Sequence, residues 1–142
     1  MLVTIQDLTG AECGDIAITA IEGGIGYWAQ AESYQPSRWS PDEQHEGYIK
    51  GTYESSNIEV ADDFVFYTIH ELDDDERNYK EEGIDITPAL IRRGFERALT
   101  EARSDLVAPV LTMAREDWMG FIDADGADVI IQLGALGQIK WG

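Results

Sequence analysis

The chain has 142 residues, 44% of them hydrophobic and four of them tryptophan, and a chain of this size buries roughly two-thirds of the surface its unfolded form exposes. Its 28 acidic residues against 10 basic ones leave a formal charge of -18, which repels phosphate backbones and anionic lipid and favours basic proteins and cations as partners. Direct nucleic-acid binding through a basic patch is thereby disfavoured; the lone Cys13 cannot form an internal disulfide, and neither a leader nor an apolar run of about 18 residues is seen, so a soluble cytoplasmic protein is expected, with no membrane contact.

In chain order, Thr9 and Glu12 have capping-box spacing ahead of Ile16, Ala17, Ile18, Ala20 and Ile21, which predicts a central helix from about residue 10 to Glu22. Gly23 and Gly24, with Gly26 behind them, form a structural corner where the first two can take the left-handed conformation that stops a helix. Alternation of Tyr27, Ala29 and Ala31 with Trp28, Gln30 and Glu32 then predicts a strand. Residues 35–47, rich in Pro, Ser and charge, read as an exposed loop. A short strand is expected within Tyr48–Tyr53, able to pair with the β-branched and aromatic strand Phe64–Leu72.

Acidic residues crowd 73–82, and Thr87-Pro88 then supplies a cap and first turn for a helix burying Ile91, Phe95, Ala98, Leu99 and Ala102. Five of the ten basic residues fall between Arg92 and Arg115, the one local relief from the acidic field. Leu106–Met113 contains Pro109 and reads as a short or kinked helical piece. Asp123 caps a third helix, with Asp125 and Asp128 at its positive end, Val129, Ile130, Ile131, Leu133 and Leu136 buried and Gly137 as its stop; Gln138–Trp141 resembles a last short strand. The expected fold is α+β, about three helices packed on a small, mainly antiparallel sheet, as one domain over 1–142.

Two segments resemble a known family. AITAIEGGIGYWA, Ala17–Ala29, resembles the TALEGGINYW signature of a widespread family of small, mostly uncharacterised proteins encoded by tailed bacteriophages, and IDADGADVIIQLGALGQIKWG, Ile122–Gly142, resembles that family's DAE-AD-IVQYALFGE-V-G ending. The resemblance implies a phage accessory protein in the host cytoplasm, involved in host takeover or counter-defence.

Enzyme motifs fail on inspection. Gly24-Ile25-Gly26 with Ala29 has G-x-G-x-x-A spacing, but a helix precedes it and a strand follows, the reverse of a dinucleotide site. Asp123–Asp128 places its glycine fourth, where a calcium loop needs it sixth. His45, His70 and Cys13 have no partners at zinc or nucleophile spacing, and no metal or cofactor is expected.

The leading expectation is a non-enzymatic, stoichiometric binder presenting an acidic, DNA-mimicking surface, with Asp73, Asp74, Asp75, Glu76, Glu81 and Glu82, to a basic host protein. An alternative is a sponge for an immune signalling nucleotide, with Tyr27, Trp28 and Trp39 stacking on the base and Arg92, Arg93 and Arg97 holding phosphate. A third is an oligomeric structural or assembly component.

Overall fold

A computed structural model of the chain describes residues 8–32, 48–49, 59–101 and 103–142, with 48–49 and 59–60 as backbone only. The loop expected at 35–47 lies outside the described residues, and Trp39 with it. Helix α1, Gly10–Thr19, starts at the expected capping box: Glu12 N donates to Thr9 Oγ1 at 3.1 Å and Thr9 N donates to Glu12 Oε1 at 2.8 Å. The helix then widens into a π-helical turn, Ala20–Gly24, closed by Ile25 N donating to Ala20 O at 2.8 Å.

Among the described residues five strands follow in two antiparallel sheets. Strand β1 is Ala29–Glu32, β2 Tyr48–Ile49, β3 Glu59–Val60, β4 Tyr67–Glu71 and β5 Ile84–Ile86. The pairing expected between the Tyr48 region and the aromatic strand is not formed: β2 pairs with β3, while β4 is the central strand of β1-β4-β5. Pairs such as Ala31 with Ile69 and Tyr67 with Ile86 place Ala29, Ala31, Tyr67, Ile69 and Ile86 on the inner face. Gln30, Glu32, Thr68, His70 and Asp85 fall on the outer one. Tyr67 ties sheet to helix, its hydroxyl donating to Ala17 O at 2.7 Å.

Helix α2, Pro88–Ala98, is capped by Thr87, whose Oγ1 accepts from Leu90 N at 3.2 Å. Its buried face holds Leu90, Ile91, Gly94, Phe95 and Ala98. The Pro109 region forms two short 3₁₀ turns, Ser104–Leu106 and Ala108–Thr112, and a third turn, Arg115–Asp117, leads into α3, Trp118–Phe121. Helix α4, Ala124–Leu136, begins at Asp123, whose Oδ1 accepts from Gly126 N at 3.1 Å, and stops at Gly137 with φ 75°. After it, Gln138–Trp141 is not the strand expected; its backbone is held by the side chain of Gln132. The described residues thus form an α+β fold of four α-helices, a three-stranded antiparallel sheet and a separate strand pair. Among them no helix is long and apolar enough to cross a membrane.

The glycine corner works differently from the expectation. Neither Gly23 nor Gly24 has positive φ. Glycine is required at position 24 because the start of α4 lies directly on it: a Cβ there would stand 2.7 Å from Ala124 O, and one at Gly23 would stand 3.4 Å from Ala124 Cβ. A Cβ at Gly26 meets nothing within 4 Å. Gly24→Val is therefore expected to destabilise the fold by about 2 kcal/mol or more through crowding, and Gly26→Val far less, as read by thermal melts of the two variants.

Candidate functional site

Strand β4 does not end its pairing at Glu71. Leu72 bridges Tyr79, and Lys80 N donates to Glu71 O at 2.8 Å, so the β4–β5 connection continues as a narrow hairpin with its tip at residues 73–78. Asp73 builds that tip: its carbonyl accepts from Glu76 N at 2.9 Å, its amide donates to Asn78 O at 2.8 Å, and its Oδ1 accepts from Arg77 N at 3.1 Å. Glu76 is left-handed, φ 57°. Of the six acids expected to form an interaction surface, Asp74, Asp75, Glu76, Glu81 and Glu82 project into solvent, whereas the Asp73 carboxylate is engaged in the turn.

Asp85 and Glu32 extend the negative field over the outer sheet face. Within that field His70 is bracketed, with Nδ1 2.9 Å from Lys80 O and Nε2 3.1 Å from Glu32. A carbonyl only accepts, so Nδ1 carries a proton; that bond and the Glu32 carboxylate raise the imidazole pKa above its ordinary value.

The aromatic corner leads inward. Trp28 is fully buried, and its Nε1–H donates to Asp128 Oδ1 at 2.8 Å; Tyr27, half exposed, donates its hydroxyl to Asp128 Oδ2 at 2.6 Å. Desolvation at that hydroxyl, with the bond to Asp128, pushes the phenol pKa up and keeps it protonated. Gln132, one turn further along α4, also donates to Asp128 Oδ1, at 3.0 Å. Asp128, expected to complement the helix dipole, is instead a buried acceptor for three donors.

The same glutamine secures the segment after α4. Its Oε1 accepts from Lys140 N and Trp141 N, both at 2.8 Å, and its Nε2 donates to Trp141 O at 3.1 Å. Trp141 Nε1–H donates to Glu71 Oε2 at 2.8 Å, and Glu71 also receives Lys140 Nζ at 2.8 Å and Lys80 Nζ at 3.1 Å. Burial alone would raise the Glu71 pKa, but the bonds from Lys140, Trp141 and Lys80 outweigh it and hold the carboxyl below its ordinary 4.5.

A carboxyl depressed in the fold contributes its stability in full above the unfolded value and loses it as pH falls through the folded one. Acidification below about pH 4.5 is thus expected to shift the Trp141 indole N–H resonance, and Glu71→Gln to abolish that transition. Proton NMR on the two proteins checks it.

Sequence reasoning passed over Gln132, Trp141, Lys140 and Glu71 as one constellation. Its signal was the polar pair Asp128 and Gln132, four residues apart in a helix that is otherwise apolar from Ala127 to Leu133.

The arginines of α2 are committed elsewhere. Arg92 pairs with Asp62, and its Nε donates to Leu8 O at 3.0 Å; Arg93 donates to Gly134 O at 3.0 Å; Arg97 holds Glu101 in a fork and reaches Leu133 O at 3.4 Å. Tyr27 and Trp28 meet α4 at positions 128 and 132, while Arg93 and Arg97 meet its last turn from the α2 side. The described members of the nucleotide-binding set are thus dispersed: Tyr27 and Trp28 on one side of α4, Arg93 and Arg97 on another, and Arg92 at Leu8 and Asp62.

Cys13 is fully buried, its thiol pushed up to about 12 by desolvation, which removes it as a nucleophile at neutral pH. Among the described residues no group of three His, Cys, Asp or Glu side chains is placed to hold a metal ion. Comparison with protein-family models, curated proteins and solved structures finds no match to this chain.

Proposed function

We propose that this is a phage accessory protein that acts stoichiometrically, without catalysis, by presenting the carboxylates of the β4–β5 hairpin to a basic protein of the host cell. One observation carries the reading: the chain's cations are largely turned to its own acceptors. Of the eight Lys and Arg side chains among the described residues, seven face a carboxylate or carbonyl of the same molecule, Arg77 being the exception. Asp74, Asp75, Glu76, Glu81 and Glu82 meanwhile stand exposed on one hairpin. Fixed carboxylates on a rigid frame imitate a row of phosphates, and such a field speeds encounter with a basic cleft while salt screens it.

The nucleotide-sequestering alternative needs α2 arginines with donors to spare beside an open aromatic face. Their bonds to Asp62, Glu101 and main-chain carbonyls, and the burial of Trp28, favour the acidic reading over it.

The test is capture from host lysate at low and high salt, with wild type and with a charge-reversed protein carrying Asp74→Lys, Asp75→Lys and Glu81→Lys. A basic partner retained at low salt, released at high salt and lost with the reversed hairpin is the expected result. Salt-insensitive capture, or equal capture by both proteins, would overturn the reading.

A further inference from the structure

The return arm of the β4–β5 hairpin passes close against Thr68 and His70 on the outer sheet face. Gly83 makes this approach possible: a Cβ there would stand 2.5 Å from Thr68 Cγ2 and 3.3 Å from His70 Cε1. On the other side His70 pairs with Gln30 of β1, which brings Glu32, two residues along the same face, within reach of the ring. The imidazole therefore bridges the two flanks of β4, with Nδ1 2.9 Å from Lys80 O and Nε2 3.1 Å from Glu32 Oε2.

Both neighbours are acceptors, a carbonyl and a carboxylate, so both ring nitrogens must carry protons for both bonds to stand. A neutral imidazole has one proton to give. The other charged groups of the elements beside the ring are turned elsewhere: the Lys80 ammonium lies 3.1 Å from Glu71, Asp85 of β5 accepts from Thr68 Oγ1 at 2.8 Å, and Glu81 and Glu82 are exposed on the return arm. The two bonds differ in how readily they are given up. Lys80 O belongs to a residue whose own amide donates to Glu71 O at 2.8 Å, so that carbonyl is held in place. The Glu32 side chain is 61% exposed against 18% for His70, and its carboxylate turns to water at little cost.

We propose that His70 is a pH-operated clasp: doubly protonated, it ties the Glu32 end of β1 to the return arm of the β4–β5 hairpin, and on losing its Nε2 proton it releases Glu32 while keeping the arm. Release leaves a neutral ring and a free carboxylate, so the outer sheet face becomes more negative beside the hairpin. The clasp does not depend on the acidic-hairpin proposal, because it concerns contacts within the sheet. Its direction follows from the bonds to Lys80 and Glu32, which raise the imidazole above its ordinary 6.5. A group raised in the fold contributes its stability in full below the unfolded value and loses it as pH rises through the folded one.

The test is NMR of the labelled full chain between about pH 5.5 and 9, with His70→Gln identifying the ring signals against those of His45. The His70 ring is expected to titrate with a midpoint above 6.5, the Glu32 carboxyl carbon to shift with that same midpoint, and the neutral ring to hold its proton on Nδ1. Glu32→Gln should lower the midpoint. A midpoint at or below 6.5, a Glu32 signal that does not follow the ring, or a midpoint indifferent to Glu32→Gln overturns the proposal; a neutral ring protonated on Nε2 also overturns it, by assigning the released bond to Lys80. Urea unfolding supplies an independent readout: the stability of wild type relative to His70→Gln should be level from about pH 5.5 to 6.5 and fall at higher pH, and a difference that stays level throughout overturns the clasp.

Discussion

Gly94→Ala is expected to destabilise the fold by about 3 kcal/mol or more, lowering the melting temperature by about 10 °C, although alanine is the better helix former. A Cβ at Gly94 would stand 2.1 Å from Ile130 O and 3.0 Å from Gly134 N, and one at Gly134 would stand 2.5 Å from Leu90 O. Helices α2 and α4 therefore cross backbone to backbone, with a glycine on each side of the contact. A single methyl has no flexible side chain to displace, so the helices must separate, and the layer of Leu90, Ile91, Phe95, Ile130 and Ile131 packed around the crossing loses contact with them. Gly134→Ala should act similarly. Gly120→Ala is the internal control: it sits in α3 with nothing within 4 Å of its Cβ, and the substitution should be neutral or mildly stabilising. Thermal melts of the three variants suffice, and a Gly94→Ala protein melting within about 2 °C of wild type would contradict a direct backbone crossing.

Those two glycines also mark where sequence reading stops. Signals that act within one turn of chain were legible: the Thr9–Glu12 box, the Thr87-Pro88 start, the Asp123 cap and the Gly137 stop all appear where expected. Each depends on backbone groups a few residues away, which the order of residues fixes. Gly94 and Gly134 look like ordinary weak points in helices until the partner is known, and Gly24 looks like a left-handed stop until Ala124 is placed against it. Strand β5 was missed because three residues, Ile-Asp-Ile, at the end of an acid-rich stretch carry too little alternation to stand out; β4 recruits them because its other edge would lack a partner.

The candidate site divides along the same line. Exposure of Asp74, Asp75, Glu76, Glu81 and Glu82 follows from charge density alone, since burying such a run without partners is prohibitive. That Asp73 would instead close the hairpin tip depends on the Leu72–Tyr79 bridge, a contact set by the sheet. Lys140 and Trp141 meet Glu71 across about half the chain, a distance that no local pattern spans.

Asp128→Ala is expected to cost about 3–5 kcal/mol, the other large effect, and its origin can be separated by companion substitutions. The carboxylate serves Trp28 Nε1 at 2.8 Å, Gln132 Nε2 at 3.0 Å and the Tyr27 hydroxyl at 2.6 Å. Without it the Tyr27 hydroxyl can turn to water, because that residue is half exposed, but the Trp28 indole N–H is left in a fully buried ring with no acceptor, and the Gln132 carboxamide loses the acceptor that orients it. Asp128→Asn should cost only about 1 kcal/mol: its oxygen can still face Trp28 and Gln132 while its amide donates to the Tyr27 hydroxyl. Adding Trp28→Phe to Asp128→Ala removes the orphaned donor, so the double variant should be destabilised by less than the sum of the two single changes. Urea unfolding of wild type, Asp128→Ala, Asp128→Asn, Trp28→Phe and the double variant measures this directly. An Asp128→Asn protein as unstable as Asp128→Ala would mean that the negative charge, and not its acceptor geometry, holds the corner, whereas strict additivity with Trp28→Phe would mean that the indole bond carries no weight in the fold.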